Sequence, residues 1–405
     1  MKLGKSFVTL SLFCVLLPWL GCSCLFNPGL RKVQDDPEIH MNTTQLITSK
    51  GYPCEDHDVH TDDGYILSVQ RIPYGKYQNK STSGKRVVLL MHGLLSCSAC
   101  WVENLVNESL GFMMADAGFD VWLGNSRGNT YGRRHEKLDP NQKEFWQFSW
   151  DEIAKYDLPA TVNKMIAITG VQQVYFVGHS QGGGVGYAQL AQDPEFAKKI
   201  KMFAPLAPAV YLDALTGPLK LLAPFSQDLD FIATLFGDGE ILPNDKIFQW
   251  LAKDICTKEI PAFLCKNFLF VLCGFDEQQI NQTRVPVYIG QHPAGTSVQN
   301  INHFAQMVKT GKFQKYDYGA KDNMLKYNQT TPPEYDPSKF TVPVAMFSGT
   351  HDWLVAPSDV TKLLNVTRNV VNSKVISAWE HLDFIWAMDA PKLCYNDIIK
   401  LFKNN

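Results

Sequence analysis

One segment joins a strand pattern, a serine motif and a helix pattern: VYFVGHSQGGGVGYAQLA, residues 174–191. Its first part, Val174–Val177, is continuously apolar, which is typical of a strand buried on both faces of a parallel sheet. Gly178-His179-Ser180-Gln181-Gly182 then matches Gly-x-Ser-x-Gly, and residues 187–191 can form a helix. A serine between a buried strand and a helix predicts a nucleophile elbow, a strained turn that needs glycine two residues away on either side.

Similar strand patterns recur along the chain and alternate with helical patterns. The apolar runs lie at Val87–Met91, Phe119–Leu123 and Val342–Phe347. Residues 64–71 follow the turn signal Asp62-Asp63-Gly64 and are predicted to form one strand of a hairpin. Helical patterns lie at Trp150–Ala167 and Val185–Ile200. Alternation of this kind predicts the α/β class, with a mostly parallel, doubly wound sheet.

The alternation stops between residues 211 and 341. Apolar and aromatic segments replace it there: Leu219–Phe225, Phe231–Phe236, Ile247–Leu251 and Phe263–Leu272. No strand pattern is strong in this region, and the strand pattern resumes at Val342. We therefore expect one core, residues 25–210 and 342–405, interrupted by a mainly helical insertion at 211–341.

The composition is that of a globular protein with nearly balanced charge. Its 405 residues include 38 basic and 40 acidic side chains, a net charge of −2, and 45% are hydrophobic. Phosphate binding needs clustered Lys and Arg, and no basic block is visible, so a nucleic-acid partner is not expected. The apolar content also argues against disorder.

The amino-terminal residues have the layout of a signal peptide. Lys2 and Lys5 precede an apolar stretch, Phe7–Leu20, and a run of small residues ends at Cys24. We expect residues 1–24 to be removed. A membrane anchor is the alternative, but about 14 apolar residues fall short of the ~20 that span a bilayer. Lipid attachment at Cys22 is disfavoured because Trp19 and Leu20 fit such a processing site poorly.

Removal of residues 1–24 would leave 36 basic against 40 acidic side chains and seven cysteines. The cysteines are Cys54, Cys97, Cys100, Cys256, Cys265, Cys273 and Cys394. An odd number in an oxidising compartment leaves at least one thiol unpaired within the chain. Six Asn-x-Ser/Thr sequons are candidate glycosylation sites, which suits a secretory route. They lie at Asn42, Asn79, Asn107, Asn281, Asn328 and Asn365.

Ser126 is a second serine in a Gly-x-Ser-x-Gly pattern, at residues 124–128. The residues that follow it, Gly128-Asn129-Thr130-Tyr131-Gly132, make a poor helix start, whereas a helix can follow Ser180. Ser126 is therefore interpreted as part of an ordinary loop at the end of a strand, and Ser180 as the nucleophile.

The glycines after Ser180 need an explanation, because each glycine inside a helix is less favourable than alanine by about 1 kcal/mol. Gly182, Gly183, Gly184 and Gly186 could allow a close approach between helix and strand. A dinucleotide fingerprint would also use such glycines, but Tyr187 occupies the position of its last glycine, and a Walker lysine is absent from the loop. No cofactor is expected.

A serine nucleophile requires a histidine base and an acid that orients the histidine. In sheets whose serine lies in a nucleophile elbow, the acid follows the serine along the chain and the histidine follows the acid. Asp352 comes just after the strand pattern that begins at Val342, and His381 lies further along the chain. His351 is too close to Asp352 in sequence to turn back onto it. Asp383, the alternative acid, is disfavoured by its nearness to His381. We predict the set Ser180, Asp352 and His381.

The oxyanion that forms during acyl transfer needs two backbone N–H groups. One comes from the residue after the nucleophile, Gln181. The other comes from the loop after an earlier strand, where Leu94 in His92-Gly93-Leu94-Leu95 fits. His92 is expected to shape this loop rather than to take part in the chemistry.

Six stretches of the chain are together more specific than the serine motif alone: HGLL (92–95), ADAGFDVWLGNSRGNT (115–130), DEIAKYDLPA (151–160), GHSQG (178–182), PAGTS (293–297) and HLDFIW (381–386). Through these stretches the chain resembles the acid lipase family, which includes gastric and lysosomal lipases, from about Asp36 to Lys400. The resemblance implies an α/β-hydrolase core with a helical cap and a movable lid. It also implies hydrolysis of acylglycerols or sterol esters. The signal-peptide layout and the sequons predict the setting, which is the secretory pathway, leading to the extracellular space or the lysosomal lumen.

The resemblance also assigns roles to individual residues. It implies Ser180, Asp352 and His381 as the triad, and Leu94 and Gln181 as the oxyanion donors. Cys256 and Cys265 match the family's cap disulfide, and Cys273 matches its free thiol. Cys97 and Cys100 depart from the family pattern. Their spacing is also that of a thioredoxin-like redox pair, but the sequence around them lacks that fold context.

Other functions remain open from the sequence. A short-chain carboxylesterase would share the chemistry, and a lipid transacylase would use an alcohol in place of water. A non-catalytic lipid-binding protein would be expected to lack one of the three residues, and all are present. The expected partner is a neutral lipid at a lipid–water interface. No metal site is expected, because His57 and His60 lack a further set of ligands.

Overall fold

The structure, a computed structural model, describes residues 36–78, 86–216, 239–241 and 278–405. The strands are β1 (Glu55–His60), β2 (Tyr65–Ile72), β3 (Arg86–Met91), β4 (Phe119–Leu123), β5 (Arg134–His135), β6 (Val174–His179), β7 (Ile200–Leu206), β8 (Glu240–Ile241), β9 (Thr296–Ser297), β10 (Val344–Gly349) and β11 (Val370–Ile376).

The described α-helices are α1 (Thr43–Ser49), α2 (Leu110–Asp116), α3 (Trp150–Glu152), α4 (Leu158–Thr169), α5 (Gln181–Gln192), α6 (Pro194–Ala197), α7 (Val285–Gln291), α8 (Val298–Thr310), α9 (Ala320–Tyr327), α10 (Pro357–Val366), α11 (Asp383–Trp386) and α12 (Asn396–Asn404). Short 3₁₀ turns lie at Pro37–His40, Ser98–Trp101, Val106–Glu108, Lys143–Trp146 and Pro337–Lys339. Two π-helical segments lie at Ile153–Asp157 and Pro391–Tyr395.

Most of the strands form a single sheet in the order β1-β2-β4-β3-β6-β7-β10-β11, with β5 paired to β2. Neighbours from β4 to β11 run parallel, while β1, β2 and β5 are antiparallel to their partners. The strands β4, β6 and β10 are buried along their whole length, as expected when helices cover both faces. The predicted α/β class with a mostly parallel sheet is confirmed.

The predicted helix at Val185–Ile200 is wrong in its bounds. Helix α5 begins earlier, at Gln181, and ends at Gln192. It ends there because Asp193 caps a new short helix, accepting the N–H groups of Glu195 and Phe196, and because Pro194 follows. Ile200 is the first residue of strand β7, which the sequence did not indicate.

The insertion region is described only in part. Its described elements are mainly helical, α7, α8 and α9, with the two short strands β8 and β9 paired to each other. The predicted apolar segments at 219–225, 231–236, 247–251 and 263–272 lie outside the described residues, as do the expected signal peptide at 1–24, Asn79, Cys256, Cys265 and Cys273. In the part of the chain that is described, no helix is both long and apolar enough to cross a membrane.

Parallel strands bring their carboxyl ends to one edge of the sheet, and the loops that follow them form the site there. The loop after β3 begins at His92, Ser180 follows β6, and Asp352 lies in the loop after β10. Strands β3 and β6 are neighbours, and only β7 lies between β6 and β10, so these predicted residues follow strands in one part of the sheet.

Candidate active site

Ser180 lies in the sharp turn between β6 and α5. Its φ of 54° and ψ of −117° are rare for a residue with a side chain, and such strain is held by the surrounding structure. A Cβ atom on Gly178 would lie 2.5 Å from the Gly182 carbonyl oxygen, and one on Gly182 would lie 2.5 Å from that of Met91. Only glycine fits at either position, which is the steric requirement of a nucleophile elbow.

The glycines of α5 allow the helix to pack directly on the sheet. A Cβ atom on Gly186 would lie 2.6 Å from the Phe176 ring and 2.7 Å from the Phe203 ring. One on Gly184 would lie 2.4 Å from the carbonyl oxygen of Ala209. The close approach that the sequence predicted for these glycines is present, and it compensates for their low helix propensity.

Asp352 and His381 are joined by a hydrogen bond. Nδ1 of His381 lies 2.8 Å from Oδ2 of Asp352, and both residues are buried. The other carboxylate oxygen of Asp352 accepts the N–H groups of Leu354 and Val355, at 2.9 and 2.8 Å. The backbone therefore fixes the carboxylate, and the carboxylate fixes the proton of His381 on Nδ1. Nε2 of His381 is buried and has no hydrogen-bond partner within the described residues, so its lone pair is available to a reacting group.

The loop that carries His381 is tied to the residue next to Ser180. Nε2–H of His179 donates to the carbonyl oxygen of His381 at 2.9 Å, and the two rings lie 4.9 Å apart. Burial lowers the pKa of His179 well below its ordinary value, which favours the neutral ring, and the bond to the carbonyl places its proton on Nε2. The structure thus ties the pair of His381 and Asp352 to the residue that precedes Ser180.

Asp383 and His351, the acid and the base that the sequence disfavoured, lie in other surroundings. Asp383 accepts the N–H of Glu380 at 2.6 Å within its own turn. His351 is exposed beside the buried Asp352. These contacts favour Asp352 and His381, as the chain order did.

The predicted oxyanion donors both border Ser180. A Cβ atom on Gly93, which precedes Leu94, would lie 3.0 Å from Cβ of Ser180. Gln181 is the first residue of α5, and the first bond within this helix runs from the Gly184 N–H to the Ser180 carbonyl at 3.1 Å. The N–H of Gln181 therefore has no acceptor within the helix, and it lies at the positive end of the helix dipole.

His92 shapes the loop after β3. Its Nδ1–H donates to the Gly93 carbonyl at 2.7 Å, and its Nε2 accepts the N–H of Ser126 at 3.2 Å and lies 3.1 Å from Nδ2 of Asn129. Burial lowers its pKa to about 4, in keeping with a neutral ring. These contacts fit the predicted loop-shaping role, and they place Ser126 in a supporting loop.

A buried ion pair supports the loop after β4, and its role was not evident from the sequence. Arg127 is almost fully buried, and its Nε donates to Oδ1 of Asp157 while its Nη1 donates to Oδ2 of Asp63, at 2.9 and 2.6 Å. Burial raises the pKa of Asp157 in spite of this partner. Arg127 and Asp157 lie in stretches that carried the family resemblance, which was the only signal for them.

A second contact missed from the sequence reaches the site from the insertion region. Nδ2 of Asn300, in α8, donates to Oε1 of Gln181 at 2.8 Å. The two residues are far apart in sequence, so no local pattern could have paired them. The nearest signal was the stretch at 293–297, which precedes α8.

The described cysteines Cys54, Cys97, Cys100 and Cys394 are free thiols. Burial raises the pKa of Cys97 and of Cys100, and the charge of Glu103 adds to the effect, so both thiols stay protonated. A redox role for this pair has no support. Among the sequons, Asn42, Asn107, Asn328 and Asn365 are exposed and Asn281 is partly exposed. Glycosylation at these positions stays a prediction.

Comparisons with known protein families and curated proteins place the chain among hydrolases. Residues 43–105 match the model of the partial alpha/beta-hydrolase lipase region, and residues 86–387 match that of the alpha/beta hydrolase fold. The chain is 50% identical over 369 residues to the lysosomal acid lipase/cholesteryl ester hydrolase of Macaca fascicularis, covering 91% of this chain and 92% of that protein. It is 46% identical over 396 residues to the gastric triacylglycerol lipase of Homo sapiens, covering 98% of each.

Solved structures with much lower sequence identity share the fold. A soluble variant of monoglyceride lipase from Saccharomyces cerevisiae has a TM-score of 0.52 at 14% identity, over 88% of this chain and 97% of that one. The epoxide hydrolase VrEH1 from Vigna radiata has a TM-score of 0.50 at 16% identity, over 87% and 98%. At these identities the likeness concerns the fold alone.

Proposed function

Since the chain belongs to the acid lipase family of α/β hydrolases and is a carboxylic ester hydrolase, we propose that Ser180, Asp352 and His381 are its catalytic triad and that its substrates are neutral lipid esters. The observation that carries the assignment is the 2.8 Å hydrogen bond between buried Asp352 and His381, beside a serine held in a strained turn. No cofactor enters the proposed mechanism.

In the first half of the reaction, Nε2 of His381 takes the proton of the Ser180 hydroxyl as its oxygen attacks the ester carbonyl. Asp352 keeps the His381 proton on Nδ1 and stabilises the imidazolium cation that forms. The N–H groups of Leu94 and Gln181 hold the oxygen that becomes negatively charged. When the tetrahedral intermediate collapses, His381 gives its proton to the departing alcohol and an acyl-enzyme remains.

In the second half, His381 takes a proton from a water molecule that attacks the acyl carbonyl. The bond between the acyl group and the Ser180 oxygen then breaks, this oxygen receives the proton from His381, and the fatty acid leaves. An alcohol in place of this water would make the protein a transacylase. The two reactions differ only in the acceptor, so product analysis separates them.

The proposed substrates are triacylglycerols, sterol esters or both, and the names of the relatives support this choice. Both substrate classes are insoluble in water, so the enzyme must act at a lipid–water interface. We further propose that residues 211–341 form a cap with a lid over the site. The described contacts of this region with Gln181 and with the loop after β3 support its place beside the serine.

The proposed setting is the secretory pathway, leading to the extracellular space or the lysosomal lumen. The exposed sequons support it, because glycans need surface positions, and so do the names of the lysosomal and gastric relatives. The proposed Cys256–Cys265 disulfide suits the same oxidising environment.

One experiment tests the function and the substrate class. The purified protein is assayed against triolein, cholesteryl oleate and a short-chain ester between pH 4 and pH 8, with each lipid both below and above its solubility limit. Release of fatty acid from an emulsion, and its loss in Ser180→Ala, are the expected results. Activity confined to the dissolved short-chain ester would instead identify a carboxylesterase. Full activity of Ser180→Ala would refute the proposed nucleophile.

A further inference from the structure

Asn300 is a fully buried residue in the first turn of α8, and its position is fixed from several sides. Its N–H donates to Oγ of Ser297 at 3.0 Å, and the Ser297 hydroxyl donates to the carbonyl oxygen of Phe148. Its Nδ2 donates to Oγ1 of Thr296 at 2.9 Å and to Oε1 of Gln181 at 2.8 Å. The start of α8 is therefore attached to the core and presents one amide to Gln181.

Gln181 is the residue whose N–H is proposed to bind the oxyanion. Its side chain is buried, and Asn300 is the partner that the structure gives it. Because this side chain and the N–H belong to the same residue, a fixed side chain restricts rotation of the peptide plane that carries the N–H. An oxyanion donor is effective only when it already points at the place where charge will develop.

The same segment also holds the loop of the other proposed donor. The N–H of Ala294 donates to the carbonyl oxygen of Leu95 at 2.7 Å, and the N–H of Thr130 donates to the Ala294 carbonyl at 2.8 Å. Leu95, which follows Leu94, has a φ of 59°, a conformation that a residue with a side chain adopts only when its surroundings hold it. Residues 294–300 thus contact both loops that carry the oxyanion donors.

We infer that Asn300 is a positioning residue of the oxyanion hole. It acts through the side chain of Gln181, while Ala294 steadies the loop of Leu94 from the same segment. The inference rests on the proposed function and deepens it, because it makes part of the insertion region necessary for transition-state stabilisation and not only for substrate access.

A purely structural role for a buried amide is the competing explanation, and Asn302 provides a matched control. Asn302 lies in the same helix, is 1% exposed, and donates its Nδ2 to the hydroxyl of Tyr316 at 2.7 Å instead of to Gln181. Asn300→Ala and Asn302→Ala each remove one buried amide from α8. Only the first removes a contact with the proposed oxyanion hole.

The experiment measures kcat and KM on p-nitrophenyl butyrate, together with the melting temperature, for the full-length protein and four variants. These are Asn300→Ala, Gln181→Met, the double variant and Asn302→Ala. Since loss of an oxyanion donor lowers kcat by about 10²–10³-fold, a displaced donor is expected to lower it by roughly 10–100-fold, with KM changed less than about twofold. The double variant is expected to be no worse than the poorer single variant, because the two residues act through one contact.

A second readout reports the transition state directly. The inhibition constant of an alkyl boronic acid, which forms a tetrahedral adduct with the serine, should rise in Asn300→Ala by the factor by which kcat/KM falls. Asn302→Ala should keep the wild-type kcat and inhibition constant even where its melting temperature drops.

Several results would overturn the inference. They are a wild-type kcat in Asn300→Ala, an equal loss of kcat in Asn302→Ala, or losses that multiply in the double variant. If Asn300→Ala does not fold, Gln181→Met decides, since it removes the acceptor and keeps the N–H; an unchanged kcat in this variant rejects the role. A wild-type protein that hydrolyses no ester, or an active Ser180→Ala, would overturn the proposed function itself, whereas an active wild type with an unaffected Asn300→Ala overturns the inference alone.

Discussion

The ring of His179 donates a hydrogen bond from Nε2 to the backbone carbonyl of His381, across 2.9 Å. His179 thereby connects the turn of the proposed nucleophile to the loop of the proposed base. The two parts of the triad come from distant parts of the chain, so their relative position depends on contacts of this kind.

His179→Phe is expected to lower kcat about tenfold or more, because it keeps the buried ring but removes the bond that holds the His381 loop, and small displacements of reacting groups are costly in rate. His303→Phe is a matched control, since Nε2 of His303 makes the same type of bond to the Gln314 carbonyl at 2.9 Å. Both variants should lose roughly 0.5–1.5 kcal/mol of unfolding free energy. Equal kcat values in the two variants would show that His179 has no role in positioning His381.

Ser180→Ala and Ser126→Ala separate the two serines that share a sequence motif. Ser180→Ala is expected to reduce kcat by about 10⁶-fold, as loss of a serine nucleophile does elsewhere. Ser126→Ala keeps the N–H that His92 accepts and should retain most of the activity. The activity of both variants is measured on a soluble ester and on emulsified triolein. Loss of activity in Ser126→Ala at an unchanged melting temperature would contradict its interpretation as a loop residue.

Asp352→Asn tests which carboxylate orients the base. An amide at this position can donate a hydrogen bond to Nδ1 and so favours the wrong tautomer of His381. The kcat of this variant is therefore expected to fall about 10⁴-fold. The kcat of Asp383→Asn should fall far less, since Asp383 accepts a hydrogen bond from the Glu380 N–H in its own turn. The comparison is made by steady-state kinetics near the pH optimum. If Asp383→Asn were the more damaging change, the acid would have to be reassigned.

Much of this site could be predicted because its residues follow local rules. A glycine pattern after an apolar strand led to the prediction of Ser180, and chain order led to the prediction of Asp352 and His381. Strand β7 was missed because Lys201 and Pro205 interrupt its apolar run, and proline is rare in a central strand. The contact of Asn300 with Gln181 was missed for a different reason. It depends on tertiary packing alone, and no periodicity or motif records it.

Gly186→Ala tests the packing of α5 on the sheet. In an exposed helix this change would stabilise the protein, since alanine is favoured over glycine by about 1 kcal/mol. Here the added methyl group would meet the rings of Phe176 and Phe203, so a net destabilisation of roughly 1–3 kcal/mol is expected. Urea unfolding measures the difference. An increase in stability would mean that the helix can move away from the sheet at little cost.

Asp151 gives the fold a dependence on pH that can be tested through stability. It is buried and accepts the N–H of Tyr316 and the hydroxyl of Tyr335, at 2.8 and 2.7 Å, so it joins α3 to the end of the insertion region. Burial raises its pKa to about 6, above the ordinary value of 3.8. The folded state therefore binds a proton more tightly than the unfolded state, and this contribution to stability is present below pH 4 and is lost as the pH rises through 6.

Asp151→Asn should remove that dependence while keeping the shape of the side chain. Its single amide oxygen can accept the Tyr316 N–H, and its Nδ2 can donate to the Tyr335 hydroxyl oxygen. Between pH 4 and pH 7 the wild-type protein is expected to lose up to about 3 kcal/mol of unfolding free energy through the ionisation of Asp151. The variant lacks this ionisable group, so its unfolding free energy should not show that part of the loss. Chemical denaturation at both pH values measures the difference. Because the burial of His92 and His303 acts in the opposite direction, weakening the fold as the pH falls below 6.5, the informative quantity is the difference between variant and wild type at each pH. An identical pH dependence in the two proteins would mean that Asp151 is ionised in the folded state throughout this range.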